Sequence, residues 1–227
     1  MKKILIFGFP HSGTTILKSI IAHIDKVEEI INETKIVNET KLVRKNTEPE
    51  YIVGKWPHTL KKFFSKSYED HIKIFIIRNP VYVFSSMNKR FKSKIPDGHY
   101  FHNYLETIKL FIKYRDNPCK NIYTIRYEEL FENDYQQLRN LLDNIGLKYN
   151  DEIFNNHKFT NLSHNGTQLP INKPSNSNHR KYRCWQINQE FVSNNDVSKI
   201  ELTKEQKQQI INNRDILSIY PDVVDLC

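Results

Sequence analysis

The stretch ILIFGFPHSGTT, residues 4–15, constrains the fold more than any other part of the chain. The apolar run 4–9 has the length of a buried strand and is too short for an independent helix. Gly8, Pro10 and Gly13 then mark a tight turn. From Thr15 onward, apolar residues at 16, 17, 20, 21 and 24 follow a helical period. A strand that turns sharply into a helix aims several backbone N–H groups at one point, and the helix dipole adds positive potential there. The result is an anion cradle, with Ser12, Gly13, Thr14 and Thr15 as its candidate binding residues and His11 at its mouth. The glycine spacing is that of a phosphate-binding loop, yet Thr14 stands where an ATP-binding loop carries its lysine. That lysine neutralises the β- and γ-phosphates beside Mg²⁺. Its replacement favours a smaller, less charged group at the 5′ end of a nucleotide.

Further apolar runs at 51–53, 72–77 and 122–125 read as buried parallel strands. Helical patterns lie between and after them, over 81–91, 100–114 and 134–145, the last with Gly146 as its stop. A final helix is expected after Thr203, with Thr203 as N-cap and Gln206 completing a capping box. Strands alternating with helices predict an α/β fold, a three-layer sandwich around a central parallel sheet, in one domain spanning 1–227. The segment 155–178, rich in Asn, Ser and Pro, reads as a long loop or lid.

A chain of 227 residues with 38% hydrophobic and 26% charged residues buries a core without disulfide or metal staples. No segment approaches the ~20 apolar residues that span a bilayer. The opening MKKILIF runs into Gly-Phe-Pro-His without a small-residue cleavage site, so it reads as a strand and not a leader. Cys119, Cys184 and Cys227 are scattered and odd in number, which suits a reducing cytoplasm. The net charge of +8 points to an anionic partner. Nucleic acid is not the expectation, because zinc-finger spacing, a recognition-helix pattern and RNP-like aromatic strands are all missing from the sequence.

A second anion site is legible in FIIRNPVYVFSSMNKRF, residues 75–91. Arg78 leaves the end of a strand, Pro80 is suited to the first position of a helix, and Ser86 falls about two turns into that helix. A guanidinium fork and a hydroxyl so placed can grip one phosphate together. The alternative reading of Arg78 is a structural cap on the sheet edge.

FGFPHSGTT followed by IRNPVYVFSS resembles the paired signatures of the sulfotransferases that use 3′-phosphoadenosine 5′-phosphosulfate (PAPS). The resemblance spans roughly residues 3 to 190 and implies a P-loop NTPase-like sulfotransferase fold. It also implies sulfuryl transfer from PAPS to a hydroxyl or amine acceptor without a metal, leaving adenosine 3′,5′-bisphosphate. By that resemblance the first loop holds the 5′-phosphosulfate, while Arg78 and Ser86 hold the 3′-phosphate. IRYEELFENDYQQLRNLLDNIGL, residues 125–147, looks like the family segment whose tyrosine lies near the adenine, here Tyr127. NHRKYRCW, residues 178–185, resembles the basic loop that closes over the 3′-phosphate, bringing in Arg180, Lys181 and Arg183 with Trp185 behind; the family's glycine is missing from it.

Sulfuryl transfer requires an acceptor that loses its proton, and positive groups that meet the charge building on the leaving phosphate. Most family members carry Lys or Arg at the position of His11. A histidinium beside a dianionic nucleotide is favoured in its charged form and can serve there, with activity expected to fall as pH climbs. Loss of one such donor costs on the order of 10²–10³ in rate. Lys55, in VGKWPH, resembles the family lysine near the sulfuryl group. Two bases stay open. Glu33, in NETK, resembles the Glu-Thr-Arg segment of the protein-tyrosine, carbohydrate and bacterial branch. His58 resembles the histidine of the small-molecule branch, one step out of register. The acceptor class also stays open among small molecules, saccharides and peptides. Competing functions are a P-loop kinase or NTPase, and a nucleotide-binding module with weak turnover.

Overall fold

The computed structural model describes residues 1–30, 42–43, 48–57, 68–91, 97–154, 163–164, 167–168, 193 and 195–227. Six strands form the main sheet in the order β3-β2-β4-β1-β5-β6. They are β1 (Lys2–Gly8), β2 (Val27–Ile30), β3 (Leu42–Val43), β4 (Tyr51–Pro57), β5 (Ile72–Ile77) and β6 (Ile122–Arg126). Five are parallel; the short β3 lies antiparallel on the β2 edge. Ser163–His164 and Thr167–Gln168 (β7 and β8) form a separate two-stranded ladder. The rest of 155–178, read from the sequence as a lid, lies outside the described residues.

Both faces of the sheet are covered, which explains why the central strands read as continuous apolar runs. Along β1, Ile4 and Ile6 enter one core while Leu5 and Phe7 enter the other. The first core is closed by α1 (Thr14–Ala22) and α4 (Gln136–Ile145), which contribute Ile16, Leu17, Ile20, Leu138 and Leu142. The second is closed by α2 (Pro80–Phe91) and α3 (Asp97–Asp116), through Val81, Phe84, Tyr104 and Ile108. The predicted three layers are therefore present.

Local chemistry sets the helix ends. Asn79 Oδ1 accepts from the Val81 N–H at 3.0 Å, and Pro80 takes the first position of α2, where a missing N–H costs nothing. Gly146 ends α4 at φ 81°, with the Leu147 N–H reaching back to the Leu142 carbonyl at 3.0 Å. The expected capping box opens α5 (Lys204–Ile211): Thr203 Oγ1 accepts from the Gln206 N–H, and Gln206 Oε1 accepts from the Thr203 N–H.

Several elements were not anticipated. Strand β2 is Val-Glu-Glu-Ile, too polar to read as a buried strand. It is buried because Lys18 of α1 reaches Glu29 Oε2 at 3.3 Å and the Ile30 carbonyl at 3.0 Å. The short helices α6 (Arg214–Ile219) and α7 (Val223–Leu226) carry Ile216, Ile219 and Val223 into the second core, with Tyr220 between them. Strand β4 also runs four residues beyond its expected end at Val53, to Pro57.

Candidate functional site

Strands β1 and β5 are parallel neighbours, with Gly8 level with Ile76. The turn after β1 and the residues after β5 therefore emerge side by side at the carboxyl edge of the sheet, where open α/β sheets bind ligands. In the turn, the Ser12 N–H closes on the Phe9 carbonyl at 3.1 Å. His11 and Gly13 are both left-handed, at φ 68° and 92°. Gly13 is required twice over, since a Cβ there would lie 2.4 Å from the ring of Tyr127. Helix α1 starts at Thr14, so its first N–H groups, which have no acceptor within the helix, face the turn. Ser12 is fully buried, and its hydroxyl has no hydrogen-bond partner among the described residues.

Arg78 follows β5 and is buried. Its Nη1 donates to the His11 carbonyl at 3.3 Å. Its Nε and Nη2 donate to one oxygen, Asn195 Oδ1, at 3.0 and 2.8 Å. The guanidinium lies 4.3 Å from the centre of the Tyr127 ring, a cation–π distance. The Arg78 carbonyl accepts from the Tyr104 hydroxyl at 2.7 Å. Across the turn, His11 Nδ1 and Ser86 Oγ share a 2.7 Å hydrogen bond. His11 thus joins the two candidate anion sites, meeting Arg78 with its carbonyl and Ser86 with its ring.

Behind Arg78 stands a carboxylate that the sequence analysis missed. Glu128 Oε1 accepts from the Asn79 N–H at 3.0 Å and from Asn195 Nδ2 at 3.2 Å, and Oε2 accepts from the Tyr220 hydroxyl at 3.3 Å. Burial raises its pKa, opposed by the Asn79 N–H, Arg78 and Asn195. The buried hydroxyls of Tyr104 and Tyr220 are pushed well above the usual tyrosine range, first by burial and then by Glu128. Glu128 directly follows Tyr127, so an acidic residue beside that tyrosine was the available signal. Asn195 offered none.

Lys55 lies in β4 level with Ile6, buried, one pleat beyond Val53 on the α1 face of the sheet. It is not a solvated surface lysine. Thr14 is buried and Thr15 half-buried at the head of α1. Glu33, His58, Arg180, Lys181 and Arg183 lie outside the described residues, as does Trp185. Tyr100 and Phe101 pack partly buried on the second core, while His102 is exposed. Among the described residues, no three His, Cys, Asp or Glu side chains are placed to hold a metal, and no helix is long and apolar enough to cross a membrane.

A family model described as the sulfotransferase domain matches residues 1–211. The fold is similar to that of the sulfotransferase domain from the curacin biosynthetic pathway, at TM-score 0.55 and 12% identity over 92% of this chain and 96% of that one. It is also similar to retinol dehydratase in a complex with retinol and PAP, at TM-score 0.53 and 15% identity over 96% and 82%. Mouse sulfotransferase SULT7A1 complexed with PAP aligns at TM-score 0.49 and 16% identity over 67% of this chain, which spans 61% of that protein's length. No curated protein sequence matches significantly. With almost its whole length covered by one family model, and with its turn and strand-end arginine meeting at one sheet edge, this chain belongs to the sulfotransferase family.

Proposed function

We propose that this protein moves a sulfuryl group from PAPS to a hydroxyl or amine acceptor, with the 5′ end of the donor in the turn 8–15 and its 3′-phosphate at Arg78. The observation that carries this is the His11 bridge, which sets the head of α1 and the Arg78 guanidinium at neighbouring points of one edge. The donor supplies an activated sulfate whose bond to the 5′-phosphate breaks as the acceptor attacks. The residues present fit such a ligand: a buried Ser12 hydroxyl with no partner among the described residues, helix N–H groups without helical acceptors, and a buried arginine at one site. The loop amides, His11 and Lys55 stabilise negative charge growing on the leaving phosphate. Tyr127 supports the guanidinium and, by family resemblance, borders the adenine. Glu33 takes the acceptor's proton, with His58 as the alternative, and Arg180, Lys181 and Arg183 close over the 3′-phosphate. The basic chain suits an anionic saccharide or peptide, and a small alcohol is the competing acceptor class.

The P-loop kinase reading is not favoured, because Thr14 stands at the lysine position and the family is that of sulfotransferases. The test is a titration with PAP and with ATP, each with and without Mg²⁺, followed by transfer from radiolabelled PAPS to a panel of acceptors. Metal-independent preference for PAP and labelled product are expected, with Glu33→Gln binding PAP normally and losing turnover. Mg²⁺-dependent preference for ATP would overturn the assignment. PAP binding without transfer to any acceptor would reduce the protein to a nucleotide-binding module.

A further inference from the structure

We infer that Tyr104 is a positioning residue for the donor's 3′-phosphate: together with Glu128 it clamps the peptide that follows Arg78, and so fixes the direction in which that side chain leaves the sheet. This rests on the function proposed above. The carbonyl of Arg78 and the N–H of Asn79 belong to one planar peptide group. The Tyr104 hydroxyl donates to that carbonyl at 2.7 Å, and Glu128 Oε1 accepts from that N–H at 3.0 Å. The preceding peptide, 77–78, is held from β6, where the Tyr127 N–H donates to the Ile77 carbonyl at 2.7 Å. Both peptides flanking the Arg78 Cα are therefore pinned. With them the φ and ψ of Arg78 are set, and so is the line along which its Cβ points.

The clamp answers a need created by the end of β5 at Ile77. Arg78 and Asn79 are buried, and a buried peptide group left unpaired costs as much as a lost hydrogen bond. Side chains from α3 and from the turn after β6 supply the partners. Burial, reinforced by Glu128, holds the Tyr104 hydroxyl well above the usual tyrosine range, so it stays a donor. The Tyr104 ring packs against Phe9 of the turn after β1 and Phe84 of α2, with ring centres 5.5 and 5.4 Å away. The aim of Arg78 is thus tied to the two elements that carry the candidate anion sites. Glu128 is held in turn by Tyr220 and Asn195. A guanidinium grips phosphate by a planar fork at the end of a long side chain, so a small turn at Cα becomes a large displacement there. The competing role for Tyr104 is core packing alone, with its hydroxyl merely satisfied.

Tyr104→Phe keeps the ring and removes only the hydroxyl, so it separates the two roles. Titration calorimetry of the full chain with PAP and with AMP, which lacks the 3′-phosphate, is compared in wild type, Tyr104→Phe, Glu128→Gln and Tyr220→Phe. Wild type is expected to bind PAP at least about tenfold tighter than AMP, the scale of one charged hydrogen-bonding partner. Tyr104→Phe should lower that ratio at least about fivefold, with AMP affinity changed by less than about twofold. Glu128→Gln, which leaves a neutral oxygen for the Asn79 N–H, should lower it by a smaller factor. Tyr220→Phe removes an equally buried hydroxyl from the far side of Glu128 and leaves both ends of the clamp, so the ratio should change by less than about twofold. In turnover assays Tyr104→Phe and Glu128→Gln should raise KM for PAPS with kcat nearly unchanged. A wild-type ratio in Tyr104→Phe, an equal loss for PAP and AMP, or a loss in Tyr220→Phe as large as in Tyr104→Phe overturns the role of Tyr104 and leaves the site assignment standing. Should Tyr104→Phe fail to fold, a wild-type ratio in Glu128→Gln overturns the clamp. Wild type that fails to distinguish PAP from AMP overturns the site assignment itself, and this inference with it.

Discussion

His11 occupies a left-handed backbone conformation that costs a residue with a side chain about 1–2 kcal/mol. The strain is held by contacts at both ends of the residue, the carbonyl on Arg78 and the ring on Ser86. Ser86→Ala removes one of them. It should lower stability by about 1 kcal/mol, the usual net value of a hydrogen bond, and, since Ser86 is also expected at the 3′-phosphate, weaken PAP binding as well as lower kcat. Thermal melts beside steady-state kinetics check this, and a variant with normal kcat would show that the imidazole needs no orienting. Gly13→Ala should be far worse, since the new methyl meets the Tyr127 ring on which Arg78 lies. PAP binding is expected to fall at least tenfold in that variant even where it still folds. Gly13, His11, Arg78 and Ser86 were legible because each sits in a short motif whose spacing carries its own geometry, and Tyr127 through the resemblance of its segment to the family's. Asn195 was not, because it meets Arg78 across 117 positions from a stretch with no pattern.

At the scale of elements, β2 shows why local reading fell short. Two successive glutamates look like solvent-facing residues, yet both are buried. A charge is tolerated there only with a partner, and Lys18, from the preceding helix, supplies it for Glu29. The apolar strands were legible from composition alone; a strand whose burial depends on a cation from another element was not. Glu29→Gln leaves the Lys18 ammonium without its anion, and breaking a buried pair from one side costs about 3–5 kcal/mol. The paired replacement Lys18→Met with Glu29→Leu should recover most of that loss. Urea denaturation of wild type, both single variants and the double variant gives the coupling directly. Single variants within about 1 kcal/mol of wild type would mean that the pair is solvated in solution.

Across the whole molecule the sheet separates function from a second titratable feature. The proposed anion sites sit at its carboxyl edge. His71, which enters β5 at the opposite edge, is buried against Tyr68, and neither ring nitrogen has a hydrogen-bond partner among the described residues. Burial lowers its pKa from 6.5 to about 4; Lys3 and Lys73 act in the same direction, and Asp70 opposes them. Between those two values the unfolded chain binds a proton that the folded chain refuses. Stability from this residue is therefore complete above pH 6.5 and is lost as pH falls toward 4. Glu128 works with the opposite sign, because its raised pKa favours the folded state as pH falls. The informative quantity is thus the difference between wild type and His71→Phe and not the wild-type curve alone. That difference should favour His71→Phe increasingly between pH 6.5 and pH 4.5 in denaturant unfolding. At pH 7.5 the variant should be at least as stable as wild type, since it removes a buried N–H with no partner among the described residues. PAP affinity and turnover at pH 7.5 should be unchanged, because the substitution lies a full strand length from Arg78. A difference that stays flat with pH would place the acid sensitivity elsewhere, and a change in turnover would show that the two edges of the sheet are coupled.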